Sequence, residues 1–293
     1  MLEEDFTGSG GLRIHMRIWQ PPTPPRAIIA ICHGVNSHSG QYTWVAEQLL
    51  AQGYAVFALD LRGRGKSAGR RFHVETVADY VDDLRGLIAI TKGRNPGIPV
   101  FLLGHSAGGV VSCTLALDHQ SEIDGLICES FAFQVPAPGF VLSAIKGLSH
   151  VAPHLGVLTL HMKDFTRDPA ALEALEADPL TKDETQPAAT VAALVRADER
   201  LHESFGQIRL PVLILHGTAD KATVWRGSQF FHDHAGSQDK TLKLYDGHFH
   251  DLLNDIGKED VLADITAWIG KRVVAEVQPN ARAPTHSIGG VAS

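Results

Sequence analysis

The chain has 293 residues, 44% of them hydrophobic and 20% charged, with a formal net charge of −7. Such a length and balance can bury a sizeable core as one large domain with an insertion, and the negative charge argues against the basic surface that nucleic acid requires. No apolar run approaches the roughly 20 residues that cross a bilayer, which excludes a transmembrane segment.

Residues 1–5, Met-Leu-Glu-Glu-Asp, lack the apolar core of an export signal. Cys32, Cys113 and Cys128 are odd in number and fall in predicted strands or a helix, so buried free thiols and a reducing, cytoplasmic setting are expected. An antiparallel hairpin is predicted from residues 12–19 with the strand that starts at Ala27. Residues 60–67 end in Gly65-Lys66-Ser67, and Gly63, Gly65 and Ala68 give a loose Gly-x-Gly-x-x-Ala spacing. A phosphate loop would need glycine where Asp60 stands, so a structural turn is predicted instead. Residues 75–90 carry Val77, Val81, Leu84 and Ile88 at helical spacing, with Thr76 and Asp79 disposed as a capping box.

The apolar run 100–103 leads into Gly104-His105-Ser106-Ala107-Gly108 and then into a helix-like stretch, 110–117. A strand that enters a helix through Gly-x-Ser-x-Gly is the nucleophile elbow of α/β-hydrolases, where glycines permit a sharp turn that strains the serine backbone and exposes its Oγ. Ser106 is therefore the candidate nucleophile. Upstream, the β-run 27–32 enters His33-Gly34, so the amide of Val35 can face a developing alkoxide together with that of Ala107.

Two later runs end on carboxylates. Glu129 closes residues 125–129, and Asp220 closes residues 211–220 in a glycine-containing loop at the carboxyl edge of a parallel-type strand. Asp220 is favoured as the acid, with Glu129 as its rival and helix capping as its plain alternative. Residues 241–251 end in Gly247-His248-Phe249-His250-Asp251, so two histidines compete as base. The Gly-x-x-His spacing of related hydrolases favours His250 and leaves His248 to face the pocket. His119, His232 and His234 sit on or at the ends of predicted helices without metal-ligand spacing, and no metal is expected.

Strands and helices otherwise alternate, which predicts a mostly parallel sheet covered on both faces. The alternation breaks over 132–205, and so long an interval is expected to be a helical cap above Ser106, between core segments 1–131 and 206–273. Phe133, Phe140, Val141, Ile145, Leu148 and Leu158 are candidates to line an acyl pocket, or to pack the cap on the core. Residues 274–293, rich in Pro, Ala, Ser and Gly, are expected to be a disordered tail.

Residues 33–42, the turn 60–67, the elbow and the two later loops together resemble the monoacylglycerol lipase and lysophospholipase-like branch of serine α/β-hydrolases, over about residues 11–273. The resemblance implies the α/β-hydrolase fold with a helical cap insertion, Ser106, Asp220 and His250 as a catalytic triad, and Val35 and Ala107 as oxyanion donors. It also implies hydrolysis of lipid-like monoesters through an acyl-enzyme, without metal or organic cofactor. A broad carboxylesterase or acyltransferase is the enzymatic alternative, and a ligand-binding module the non-enzymatic one. Two positions depart from the pattern: monoacylglycerol lipases commonly carry an acidic residue where this chain has Ser37, and an arginine where it has Gln41. His38, Gln41 and His248 remain candidate substrate contacts. The expected partners are a small ester or lipid, with transient contact between the cap and lipid surfaces, and no nucleic acid.

Overall fold

The computed structural model describes residues 1–276. Strands β1 (Leu2–Thr7), β2 (Arg13–Trp19), β3 (Ile28–Cys32) and β4 (Ala55–Leu59) come first, with helix α1 (Thr43–Ala51) between the last two. Helix α2 (Val77–Arg94), strand β5 (Val100–His105), helix α3 (Ala107–His119) and strand β6 (Gly125–Glu129) follow. The interval after β6 holds α4 (Gly139–Val151), β7 (Gly156–Thr159), α5 (Pro169–Ala177), β8 (Thr185–Pro187) and α6 (Ala188–Ser204). The chain then returns to β9 (Val212–Gly217), α7 (Trp225–His234), β10 (Lys240–Tyr245) and α8 (Lys258–Glu276).

Eight strands form one sheet in the order β1-β2-β4-β3-β5-β6-β9-β10, and all neighbours from β4 onward are parallel. Its central strands are buried along their whole length because helices cover both faces. In β3, Ile28, Ala30 and Cys32 join the core on the α2 and α3 side, while Ile29 and Ile31 join the core on the α1 and α8 side. This is the predicted α/β-hydrolase architecture. Thr76 caps α2 as expected, its hydroxyl accepting from the Asp79 amide. The 60–67 turn is structural, with the Asp60 carboxylate accepting from the Ser39 and Lys66 amides at 2.8 and 2.7 Å.

The predicted hairpin is corrected. β2 pairs antiparallel with β1 and β4, whereas β3 pairs with β4 and β5. The acidic N-terminus makes the edge strand because its charges find cross-strand partners on β2, with Glu3 at 3.0 Å from Arg17 and Asp5 at 2.9 Å from His15. The wholly apolar β3 needs neighbours on both sides and takes an interior place.

Besides its helices, the interval after β6 contains a small antiparallel pair, β7 with β8, that periodicity did not reveal. Helix α6 packs on both α4 and α3. Arg64, buried in the 60–67 turn, forms an ion pair with Glu184 and a 2.7 Å bond to Gln186, which joins this interval to the core. Helix α8 runs to Glu276, and the rest of the expected tail lies outside the described residues. No described helix is long and apolar enough to cross a membrane.

Candidate active site

Strand β5 delivers His105 and then Ser106, whose φ of 53° and ψ of −121° place a non-glycine residue in a strained left-handed turn. The structure holds this conformation by hydrogen bonds on either side. The Ser106 amide donates to the Glu129 carbonyl at 2.9 Å, and the Ser106 carbonyl accepts from Gly109 and Ala132 at 2.9 and 3.2 Å. Glycine is required where the neighbouring backbones close in. A Cβ on Gly34 would sit 2.9 Å from the Ser106 Cβ, and one on Gly108 only 2.1 Å from the Cys32 carbonyl oxygen. The 33–35 loop is thus pressed against the elbow. His33 stiffens that loop, since its Nδ1 bonds the Gly34 carbonyl at 2.7 Å while its Nε2 accepts from the Leu61 amide at 2.9 Å. Burial pushes His33 down to about 4, so the ring stays neutral. Among the described residues the Val35 and Ala107 amides have no hydrogen-bond partner, which leaves two donors free beside Ser106.

The loop after β9 carries Asp220, and the loop after β10 carries His250. Their side chains meet with His250 Nδ1 2.7 Å from Asp220 Oδ2, both fully buried. The other Asp220 oxygen accepts from the Ala222 and Thr223 amides at 2.8 and 2.9 Å, and the Thr223 hydroxyl donates to Oδ2 at 2.7 Å. Although burial opposes ionisation, His250 and a second histidine, His216, hold the carboxyl far below the usual carboxylate range. An anionic acceptor on Nδ1 fixes the proton there, so His250 Nε2 presents its lone pair. That atom is buried and has no partner. Ser106, the Asp220–His250 pair and the two free amides therefore gather at one end of the parallel strands, with the requisites of nucleophilic acyl transfer.

The rivals sit elsewhere. Glu129 lies across from His105 in register and does not reach His250; its Oε1 takes a 3.4 Å bond from the Leu253 amide and its Oε2 has no partner. His248 Nδ1 lies 3.9 Å from Asp255, and its ring is tilted 48° to that of Tyr245 with centroids 5.5 Å apart. His105, Glu129 and Asp251 form a buried group whose potential ligand atoms lie within 4.8 Å of one another. Burial raises both carboxyls and lowers the imidazole, so it disfavours charge on every member of the cluster.

The expected substrate contacts are spread out. His38 Nε2 and Gln41 Nε2 both bond the Asp178 carboxylate, at 2.7 and 3.1 Å, beside a cavity of about 250 Å³. Phe133 is buried, stacked on Phe131 and Phe230, and lines a cavity of about 630 Å³ between α4 and α6. Ile145 is half-buried on α4, whereas Phe140 is 77% exposed and Leu158 lies exposed on β7. Sequence reasoning missed Phe165, whose ring meets His250 edge-on at 4.8 Å from within the interval, and His105, whose ring packs against His250 with centroids 4.9 Å apart. Phe165 has no periodic signal, and His105 occupies a variable position of the pentad.

The family described as serine aminopeptidase, S33 (Hydrolase_4) matches residues 23–257. The chain belongs to this family of hydrolases. Among relatives of this hydrolase, the monoacylglycerol lipase of Mycolicibacterium smegmatis is 32% identical over 91% of the chain and 96% of its own length. The monoglyceride lipase of Homo sapiens is 30% identical, covering 91% and 90%. The crystal structure of the Paleococcus ferrophilus monoacylglycerol lipase superposes with a TM-score of 0.81 at 28% identity, covering 88% of this hydrolase and 99% of that chain. The resemblance drawn from the motifs thus holds along most of the chain.

Proposed function

We propose that this hydrolase cleaves lipid-like carboxylic monoesters, of monoacylglycerol or lysophospholipid type, through an acyl-enzyme on Ser106. The observation that carries the reading is the Asp220–His250 pair with an unpartnered Nε2 at the sheet end that presents a strained serine. Support for the substrate class comes from the monoacylglycerol lipases among its relatives.

In the first half-reaction Ser106 Oγ attacks the ester carbonyl while His250 Nε2 takes its proton, and the Val35 and Ala107 amides bind the alkoxide. The tetrahedral species collapses as the Ser106–acyl bond is kept and the ester bond breaks, with His250 returning its proton to the departing alcohol. Water then attacks the acyl-enzyme by the same route. Asp220 holds the imidazole tautomer and stabilises the imidazolium. Phe165 and His105 both pack against the imidazole and help fix its orientation.

Residues 132–205 act as a cap in this reading. Val135, Phe140, Val151, Leu155 and Leu158 form its exposed large apolar side chains, which suits transient contact with a lipid surface. The Phe133-lined cavity is the proposed place for acyl carbons. Because Asp178 occupies His38 and Gln41, little charged chemistry is left to read a glycerol head, and this favours a permissive esterase as the second reading. Three buried unpaired thiols support a reducing, cytoplasmic setting.

Fluorophosphonate labelling of the wild type, lost in Ser106→Ala, together with turnover of a monoacylglycerol panel, tests the proposal. A wild type that neither labels nor turns over any monoester overturns it.

A further inference from the structure

The triad acid has a second histidine on it. His216, the penultimate residue of β9, is fully buried, and its Nε2 lies 3.0 Å from Asp220 Oδ2, the same oxygen that bonds His250. On its far side His216 Nδ1 lies 2.7 Å from the Ser228 hydroxyl on α7, itself buried. These contacts decide the ring's protons. Asp220 is ionised and can only accept, so His216 Nε2 carries a hydrogen and donates it. The neutral ring then has its lone pair on Nδ1, and Ser228 donates to it. Burial disfavours the imidazolium, in keeping with a lowered His216. The result is a directed chain from Ser228 through His216 and Asp220 to His250, in which each donor is spent on the next acceptor.

We infer that His216 is a positioning residue of the catalytic machinery: with Ser228 fixing its tautomer, it holds the Asp220 carboxylate in place for His250 and limits how strongly that carboxylate draws a proton onto the base. The inference rests on the proposed acid and base roles of Asp220 and His250. One strand and one helix impose the geometry, since His216 stands on β9 with Asp220 four residues later in the following loop, while Ser228 comes from the first turn of α7. The charged and titratable groups around His250 are Asp220 and His216 from the β9 side, His105 from β5 and the adjacent Asp251, with Glu129 next to His105 and Asp251. Of these, only His216 and Thr223 share the Asp220 oxygen with the base. Removing the His216 donor leaves that oxygen more basic, which favours imidazolium on His250 and moves the acid limb of the rate profile to higher pH.

The test compares His216→Leu, His216→Gln and Ser228→Ala, each checked for folding by circular dichroism, with kcat and KM for a monoester measured across pH. The leucine variant should lose about 10- to 100-fold in kcat, the value of one hydrogen bond to a charged group, with KM within twofold and the acid limb moved upward. Glutamine can place an amide N–H where Nε2 stood and should recover most of the rate and the limb. Ser228→Ala frees the tautomer and should shift the limb in the same direction by less. A folded leucine variant with an unmoved limb overturns the inference, as does a glutamine variant as impaired as leucine. If the leucine variant does not fold, an unmoved limb in Ser228→Ala overturns it. Should the wild type hydrolyse esters and Asp220→Asn abolish this while these variants behave as wild type, the positioning role alone fails; a wild type without turnover fails the proposed function itself.

Discussion

Gly108→Ala is expected to inactivate the enzyme by parting two backbones that must touch. The added Cβ would lie 2.1 Å from the Cys32 carbonyl oxygen and 2.5 Å from that of His33, where ordinary contact begins at 3.4 Å. Neither atom is the tip of a flexible side chain, so α3 and the 32–35 segment must separate by roughly 1.3 Å. Overpacking of this kind costs about 1–3 kcal/mol of stability, which a domain of this size survives. The cost in rate is larger, because the Val35 amide lies on one side of the parting and the Ala107 amide on the other. Losing one oxyanion donor lowers kcat by about 10²–10³-fold, and a 1 Å misplacement alone costs about 10²-fold. We therefore expect kcat to fall by about 100- to 1000-fold, with the melting temperature only modestly lowered. Gly93→Ala, on α2 with open space around its added Cβ, serves as the control and should keep full activity. Hydrolysis of a p-nitrophenyl ester and thermal melts of both variants decide the matter. A folded Gly108→Ala protein within about threefold of wild-type kcat would refute the placement of the oxyanion hole.

Ser106→Ala should abolish turnover by about 10⁴-fold or more while the protein stays folded, and more than a few per cent residual rate after purification contradicts the nucleophile. His250→Ala should match that loss, whereas His248→Ala, which touches Asp255 and not Asp220, should stay within about tenfold of wild type; reversed effects sink the choice of base. Glu129→Gln should stay active, since Glu129 makes no contact with His250. Burial, followed by repulsion from Asp251, holds the Glu129 carboxyl well above its ordinary value. Its contribution to stability is therefore full below about pH 4 and is lost as pH rises through the elevated folded value. The melting-temperature advantage of Glu129→Gln should accordingly widen from pH 5 to pH 9, and parallel curves for the two proteins would exclude the effect. Finally, with His38 and Gln41 bonded to Asp178, alkyl or aryl esters should be cleaved within about tenfold of a monoacylglycerol of equal acyl length in kcat/KM; a preference above a hundredfold for glycerol means that other groups read it.

What was legible in the chain itself is what depends on neighbours in sequence. Apolar runs long enough to be buried on both faces mark β3, β5, β6 and β9, Thr76 marks the start of α2, and the spaced glycines around Ser106 announce a turn that only a strained residue can occupy. The tertiary structure decided every choice between equivalent residues. His248 and His250 are two positions apart in one loop, and the packing of that loop against Gly217 and Phe165 sets which ring turns to Asp220. Glu129 and Asp220 both end strands, yet one oxygen of Glu129 is stranded beside Asp251 while Asp220 gathers five donors. His38 and Gln41 read as substrate contacts until Asp178, more than 130 residues away, takes their hydrogens. The edge place of the acidic β1 and the second histidine on the triad acid have the same origin. Hydrogen bonds and ion pairs between distant segments depend on angles and distances of a few tenths of an ångström, and no one-dimensional spacing carries that information.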